Sequence, residues 1–242
     1  MNVGRYPLLL VVSTGRYHAS AFTAAAPRPF ALANRPSGER TATRPSHGLA
    51  ALPTADEVST DDFMKQLGHA SNIIPLLHPA GDDNEVESTS LLEVLSRQFG
   101  HSDGVRGFFA VYLTSPESLT KEEVPTILAE AVLGADPKVM VPLACMNVVM
   151  PTAMRTIHQD AELRECASKT ASNGKRILRL LKGKEDVVRN CRAIRRVCRG
   201  SGGDFEENTS KDLIEYWEKF FVNYKYKGEQ KDDIMMVVSE FC

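Results

Sequence analysis

From about residue 58 onward, apolar side chains recur at intervals of three and four residues, the spacing that gathers one face of an α-helix. Ser59 or Thr60 is placed to cap a short helix through Leu67, with Asp61 and Asp62 in its first turn, where acids meet the positive end of the helix dipole. Pro75, Pro79 and Gly81 then break the pattern, and 82–87 reads as an acidic loop. Ser90 and Glu93 have capping-box spacing and open a helix over 91–99. Gly100 and Asp103-Gly104 interrupt before 105–113, an apolar run that alone would also suit a buried strand. With no second strand candidate of similar quality, it is read as a helix.

Thr120 and Glu123 repeat the capping-box spacing ahead of 127–133. Asp136-Pro137 is a strong start, an N-cap acid with proline at the first helical position. The periodic pattern from there runs to about Leu181, and Pro142 and Pro151 are expected to kink or divide it. A further helix over 184–199 is stopped by Gly200-Ser201-Gly202-Gly203. Ser210 caps 213–224, where Leu213, Trp217, Phe220 and Phe221 share a face; Gly228 ends it, and 232–241 forms a last short helix. Successive helices differ in length and share no signature, so no repeat is present. The fold class expected is all-α, an irregular multi-helix bundle.

Of the 242 residues, 43% are hydrophobic and 25% charged, which suits one globular domain over 58–242. The longest largely apolar stretch, 139–150, is interrupted by Pro142 and Asn147 and falls short of the roughly 20 residues that span a bilayer. No transmembrane segment is expected in the mature chain. The cysteines Cys145, Cys166, Cys191, Cys198 and Cys242 are odd in number and include no CxxC, which argues against a disulfide framework or a zinc finger. Reduced, partly buried thiols are expected.

The amino-terminal stretch has a different composition. Its first acid is Glu39, preceded by Arg5, Arg16, Arg28 and Arg35 among many Ala, Ser, Thr and Pro residues. A short apolar run over 6–12 is followed by Ala19-Ser20-Ala21, with the small-x-small spacing a signal peptidase accepts, and the chain beyond it stays basic and hydroxylated. Ala19-Ser20-Ala21-Phe22-Thr23-Ala24 resembles the ASAFAP motif of the bipartite plastid-targeting leaders of diatoms and related algae. In those leaders the aromatic residue after the cleavage point is the discriminating feature, and Phe22 occupies it; Thr23-Ala24 departs from the usual Ala-Pro. The resemblance implies a signal peptide over 1–21, cleaved after Ala21, and a transit peptide or disordered linker over 22–57. It further implies residence in the plastid stroma, with attachment to the thylakoid surface left open.

Net charge is only −2, but its distribution is uneven. Between Lys169 and Arg199 stand eleven Lys or Arg residues against two acids, Glu185 and Asp186. At helical pitch Val187, Cys191, Ile194 and Cys198 gather on one stripe, while Arg189, Arg192, Arg195, Arg196 and Arg199 cover an adjoining arc of about 120°. In the preceding helix Lys175, Arg176, Arg179 and Lys182 lie mostly opposite Ile177, Leu178, Leu180 and Leu181. Each helix can therefore bury one face and present cations on the other. That arrangement suits an acidic protein surface, an RNA backbone or an anionic membrane. The segment has no interleaved aromatic residue to stack bases, which favours protein. A solvated face partly neutralised by the acidic carboxy-terminal helices is the plain alternative.

No nucleophile elbow, P-loop or dinucleotide fingerprint occurs, so no catalytic residue and no cofactor is assigned. His158, Glu162 and Glu165 share a helical face, but lack the paired Glu-x-x-His of helical metal sites. They are the least implausible site for a helical enzyme, and no metal is expected there. The methionines Met140, Met146, Met150 and Met154 fit a core helix better than a binding groove. The expected function is that of a non-enzymatic partner-binding accessory or assembly factor, with an RNA-binding module and an unrecognised helical enzyme as the rivals.

Overall fold

Thr54 opens the first helix. Its hydroxyl accepts from Glu57 N–H, and the Glu57 carboxylate accepts in return from Thr54 N–H at 2.8 Å, a full capping box. The computed structural model describes residues 52–78, 88–120, 122–200 and 210–242. Within them α1 (Ala55–Thr60), α2 (Phe63–Leu77), α3 (Ser88–Gln98), α4 (Ser102–Tyr112), α5 (Pro116–Thr120) and α6 (Thr126–Gly134) come first. Then follow α7 (Pro137–Ile157), α8 (Ala161–Leu180), α9 (Glu185–Arg199), α10 (Lys211–Asn223), α11 (Gly228–Val238) and a 3-10 turn (Ser239–Phe241). The described residues hold no strand, and the fold is an all-α multi-helix bundle.

Several boundaries differ from those the sequence suggested, each for a local reason. Ser59 and Thr60 lie in the last turn of α1, where their hydroxyls bond Asp56 O rather than capping anything, and Asp62 caps α2 through Lys65 N–H at 3.1 Å. Among the described residues helical structure thus begins at Ala55, ahead of residue 58. Pro75 sits inside α2 rather than ending it, while Pro79, Gly81 and the acidic run 82–87 lie outside the described residues. Ser90 is internal to α3, Thr120 ends α5, and Pro125 precedes α6 as its N-cap residue. Gly228 begins α11 instead of terminating α10.

The largest difference is in α7. Pro142 and Pro151 are both accommodated within one continuous 21-residue helix, and the chain turns at His158–Asp160. Asp160 caps α8 by accepting from Glu162 N–H at 2.8 Å and Leu163 N–H at 3.0 Å. The two helices form a hairpin whose close approach requires glycine. A methyl on Gly174 would stand 2.3 Å from Asn147 O. That carbonyl is the one four residues before Pro151, which has no N–H to give it. Gly107 plays the same part where α4 meets α2: a methyl there would lie 2.4 Å from the Gln66 Cβ.

Helix α7 is the centre of the bundle, packed by α8, α9, α11 and α4. It is also the helix among the described residues that is long and apolar enough, by length and composition, to cross a membrane; half of its apolar window is buried inside the protein, as a core helix requires. Met140, Val141, Ala144, Cys145, Val148 and Val149 form its fully buried face, and the valine and methionine side chains among them each contribute about 1.5–3 kcal/mol on leaving water. Aromatic residues pack in two groups. Phe99, Phe108, Phe109 and Tyr112 stack and abut near the α3–α4 junction, and Trp217, Phe220, Phe221, Tyr224 and Tyr226 gather on α10 and its carboxy-terminal turn.

Two polar side chains buried between helices, Gln66 and Asn173, are tied to backbone groups. Gln66 donates to Val58 O at 2.7 Å and accepts from Gln98 Nε2 at 2.9 Å. Asn173 on α8 donates to Leu113 O at 2.9 Å and to Ser118 Oγ at 3.1 Å. Such bonds fix helix register, because a slip would leave the buried groups unpaired.

Candidate functional site

The basic residues singled out by the sequence do not share one role. On α8, Arg176 turns inward: its guanidinium donates to Ser118 O at 2.5 Å and to the Asn173 amide oxygen. Lys175, also half-buried, pairs with Glu240 at 2.5 Å, and Arg179 meets the other oxygen of the same carboxylate at 3.3 Å. The hydrogen bond from Lys175 is the main cause holding the Glu240 carboxyl below its usual range; partial burial opposes it, and Arg179 assists. These three cations clasp α8 to α5 and to the carboxy-terminal turn. Lys182, just past the helix end, is exposed.

Helix α9 is organised differently. Val187, Asn190, Cys191, Ala193, Ile194 and Val197 are buried against α7, α10 and α11. Arg189, Arg192, Arg196 and Arg199 follow at spacings of three, four and three, so they form one row on the opposite side. Arg189 and Arg199 are exposed, and Arg192 and Arg196 are half-buried. The row is about 15 Å long at the helical rise of 1.5 Å per residue. Glu185 stands at its start and pairs with Arg189. Arg192, Arg195 and Arg196 also interact with other groups of the protein.

Arg195 leaves the row. It lies one turn after Cys191, its Nε is buried, and its positive charge acts on the Cys191 thiol. The arc read from the sequence grouped Arg195 with the others because angular position alone cannot show which flank a neighbouring helix covers.

Acids elsewhere also bind cations across helices. Asp233 on α11 accepts from Thr156 Oγ1 at 2.7 Å and pairs with Arg155 at 3.0 Å. Partial burial raises that carboxyl, but the bonds from Thr156 and Arg155 together outweigh it and leave it below its ordinary value.

His158, Glu162 and Glu165 are not brought to a common point. His158 lies at the end of α7, where its N–H bonds Met154 O at 3.0 Å and its carbonyl accepts from Arg164. Glu165 pairs with Lys169 at 2.6 Å. Among the described residues no three His, Cys, Asp or Glu side chains group as a metal site. The leader residues Ala19, Ala21 and Phe22 lie outside the described residues.

One feature was not legible in the sequence. Cys145 of α7 and Cys191 of α9, 46 positions apart, are both fully buried on helices that pack against each other. The neighbouring Cys145 thiol, with burial, pushes the Cys191 thiol above its ordinary value. Cys198 is pushed up to about 12 by burial, and Cys166 and Cys242 are exposed.

These helices define a class. Residues 69–241 match the family described as Uncharacterised conserved protein UCP020893, and the chain belongs to that family. The match runs from within α2 to the final 3-10 turn and so includes every basic residue of α8 and α9. No curated protein and no solved structure matches the chain.

Proposed function

We propose that this protein is a non-enzymatic accessory or assembly factor of the plastid stroma that binds an acidic protein surface through the outer side of α9. The observation that carries the reading is the row Arg189, Arg192, Arg196 and Arg199, set opposite the buried face of a helix that is itself fixed on three sides. Arginine is the suitable residue for such a contact, since its planar fork meets carboxylates with two parallel bonds. The row is short and carries no aromatic residue, which suits a helix or loop bearing Asp and Glu better than a run of stacked bases. The plastid address rests on the likeness of 19–24 to algal targeting leaders.

The test is affinity capture from plastid extract by the native chain and by an R189E/R199E variant, each with and without nuclease. Capture of the same protein by the native chain alone, surviving nuclease, supports the reading. Equal capture by both chains, or loss of all capture after nuclease, overturns it; the second outcome points to RNA.

A further inference from the structure

Glu240 reaches from the carboxy-terminal turn to a basic helix far away in the chain. The turn itself (Ser239–Phe241) packs on α9 and α11. Its acid crosses to α8, to Lys175 and Arg179, 65 and 61 positions earlier. There Lys175 Nζ meets Oε1 at 2.5 Å and Arg179 meets Oε2 at 3.3 Å, so each carboxylate oxygen has its own cation. The two cations stand one helical turn apart, and together they make a site whose natural ligand is a carboxylate. The turn is anchored without this contact: Val238 and Phe241, on either side, are buried in the core, and Ser239 Oγ bonds Met235 O at 2.6 Å. The Glu240 side chain, by contrast, is 44% exposed and that of Arg179 is 54% exposed. Ion pairs so open to water add little to folding. The Glu240 carboxylate can therefore swing into solvent while the turn stays in place.

We propose that Lys175 and Arg179 are a second carboxylate-binding site of the same interaction surface, masked by Glu240 in the free protein, and that an acidic segment of the partner takes the site by displacing the Glu240 side chain. The inference rests on the reading of α9 as a helix that binds an acidic protein. The exchange sets one carboxylate in place of another on the same two cations, so the ion pairs lost from Glu240 are remade with the partner. Glu240 then meets water, and Phe241 keeps the turn seated. The mask also selects. A small anion arriving alone finds the pair already occupied by a carboxylate held at high local concentration. A segment tethered at the arginine row brings its own carboxylate at a comparable local concentration and competes on equal terms. The device thus favours a protein carrying an extended acidic segment over isolated anions.

The test follows a fluorescein-labelled oligoglutamate peptide by fluorescence anisotropy as it binds the full chain, with Trp217 fluorescence confirming that each variant is folded. E240Q is expected to bind the peptide about 2- to 10-fold more tightly than the native chain, as suits the release of one exposed pair of cations. E165Q is the control, since it makes the same change of charge on α8 and frees Lys169 from its own ion pair. It is expected to alter binding by less than about 2-fold. Introduced into K175Q/R179Q, the Glu240 change is expected to bring no gain, because the site it would unmask is gone. Equal binding by E240Q and the native chain overturns the proposal. So does a gain on E165Q as large as that on E240Q, or a gain on E240Q that persists without Lys175 and Arg179. The arginine row is judged apart from this: undiminished binding by R189E/R199E contradicts the row, while the ratio between E240Q and the native chain decides the mask.

Discussion

Trp217 of α10 donates its indole N–H to Asn190 Oδ1 of α9 at 3.0 Å, with both side chains buried. Asn190 in turn donates to Asp186 O at 2.8 Å, so its amide is held from both ends. This bond is a buried polar link in the packing of α10 on α9. Asn190→Ala leaves the indole N–H buried without its acceptor, a loss of about 1–3 kcal/mol. The single tryptophan makes the check direct: the urea midpoint followed by Trp217 fluorescence is expected to fall. An unchanged midpoint would show that α10 is held by its aromatic contacts alone.

Two glycines predict opposite outcomes for the same substitution. Gly174→Ala forces a methyl against the Asn147 carbonyl in the α7–α8 seam and is expected to cost about 1–3 kcal/mol or more. Gly68→Ala meets no atom within 4 Å on an exposed position of α2, and is expected to gain about 0.5–1 kcal/mol from the lower freedom of the unfolded chain. Thermal unfolding of the two variants separates them, and a shift of the same sign for both would contradict the close-approach account.

Glu240 predicts a pH dependence. Its carboxyl is held below its ordinary 4.5, chiefly by the Lys175 hydrogen bond. A carboxyl depressed in the folded state adds stability that is fully present above that ordinary value and is lost as pH falls through the depressed one. Glu240→Gln is therefore expected to lower stability at pH 7 and to leave the difference smaller at pH 3. Denaturant midpoints of both chains at the two pH values test this; a constant difference would assign Glu240 a packing role only.

The thiols should report burial in order. Cys166 and Cys242 are exposed and are expected to react promptly with a chromogenic disulfide reagent at pH 8, with Cys198, raised to about 12 by burial, slower. Cys145 and Cys191 are expected to react only at the rate of opening. Five equal rates would contradict the core described for α7 and α9.

Much of the helical order could be read in the sequence because it depends on local chemistry. Asp136 with Pro137 does begin α7, where Asp136 accepts from Lys138 N–H at 2.9 Å, and Gly200 with φ +76° does end α9. The turn between α7 and α8 was hidden, since Pro142 and Pro151 look like breaks while the true stop is a bare Asp160 cap after His158. Proline is tolerated in α7 because the carbonyl freed before Pro151 faces a glycine rather than a bulkier residue. The candidate surface was legible in part. Helical pitch finds Arg189, Arg192, Arg196 and Arg199, but only tertiary packing shows that Arg176 is spent on Ser118 and that Lys175 and Arg179 share Glu240. That Cys145 and Cys191 are buried on helices packed against each other could not be read at all, because only tertiary packing sets α9 on α7.

The central claim is that the outer row of α9 recognises an acidic protein. Arg189 and Arg199 are the positions to reverse, because both are exposed, whereas Arg195 has a buried Nε and its replacement would disturb the core. The deciding measurement is the capture of plastid proteins by the native chain and by R189E/R199E, at low and moderate salt after nuclease, with Trp217 fluorescence confirming that both are folded. The account predicts a defined acidic protein held by the native chain, weakened by salt and absent from the variant. The same protein retained equally by a folded R189E/R199E chain would contradict it.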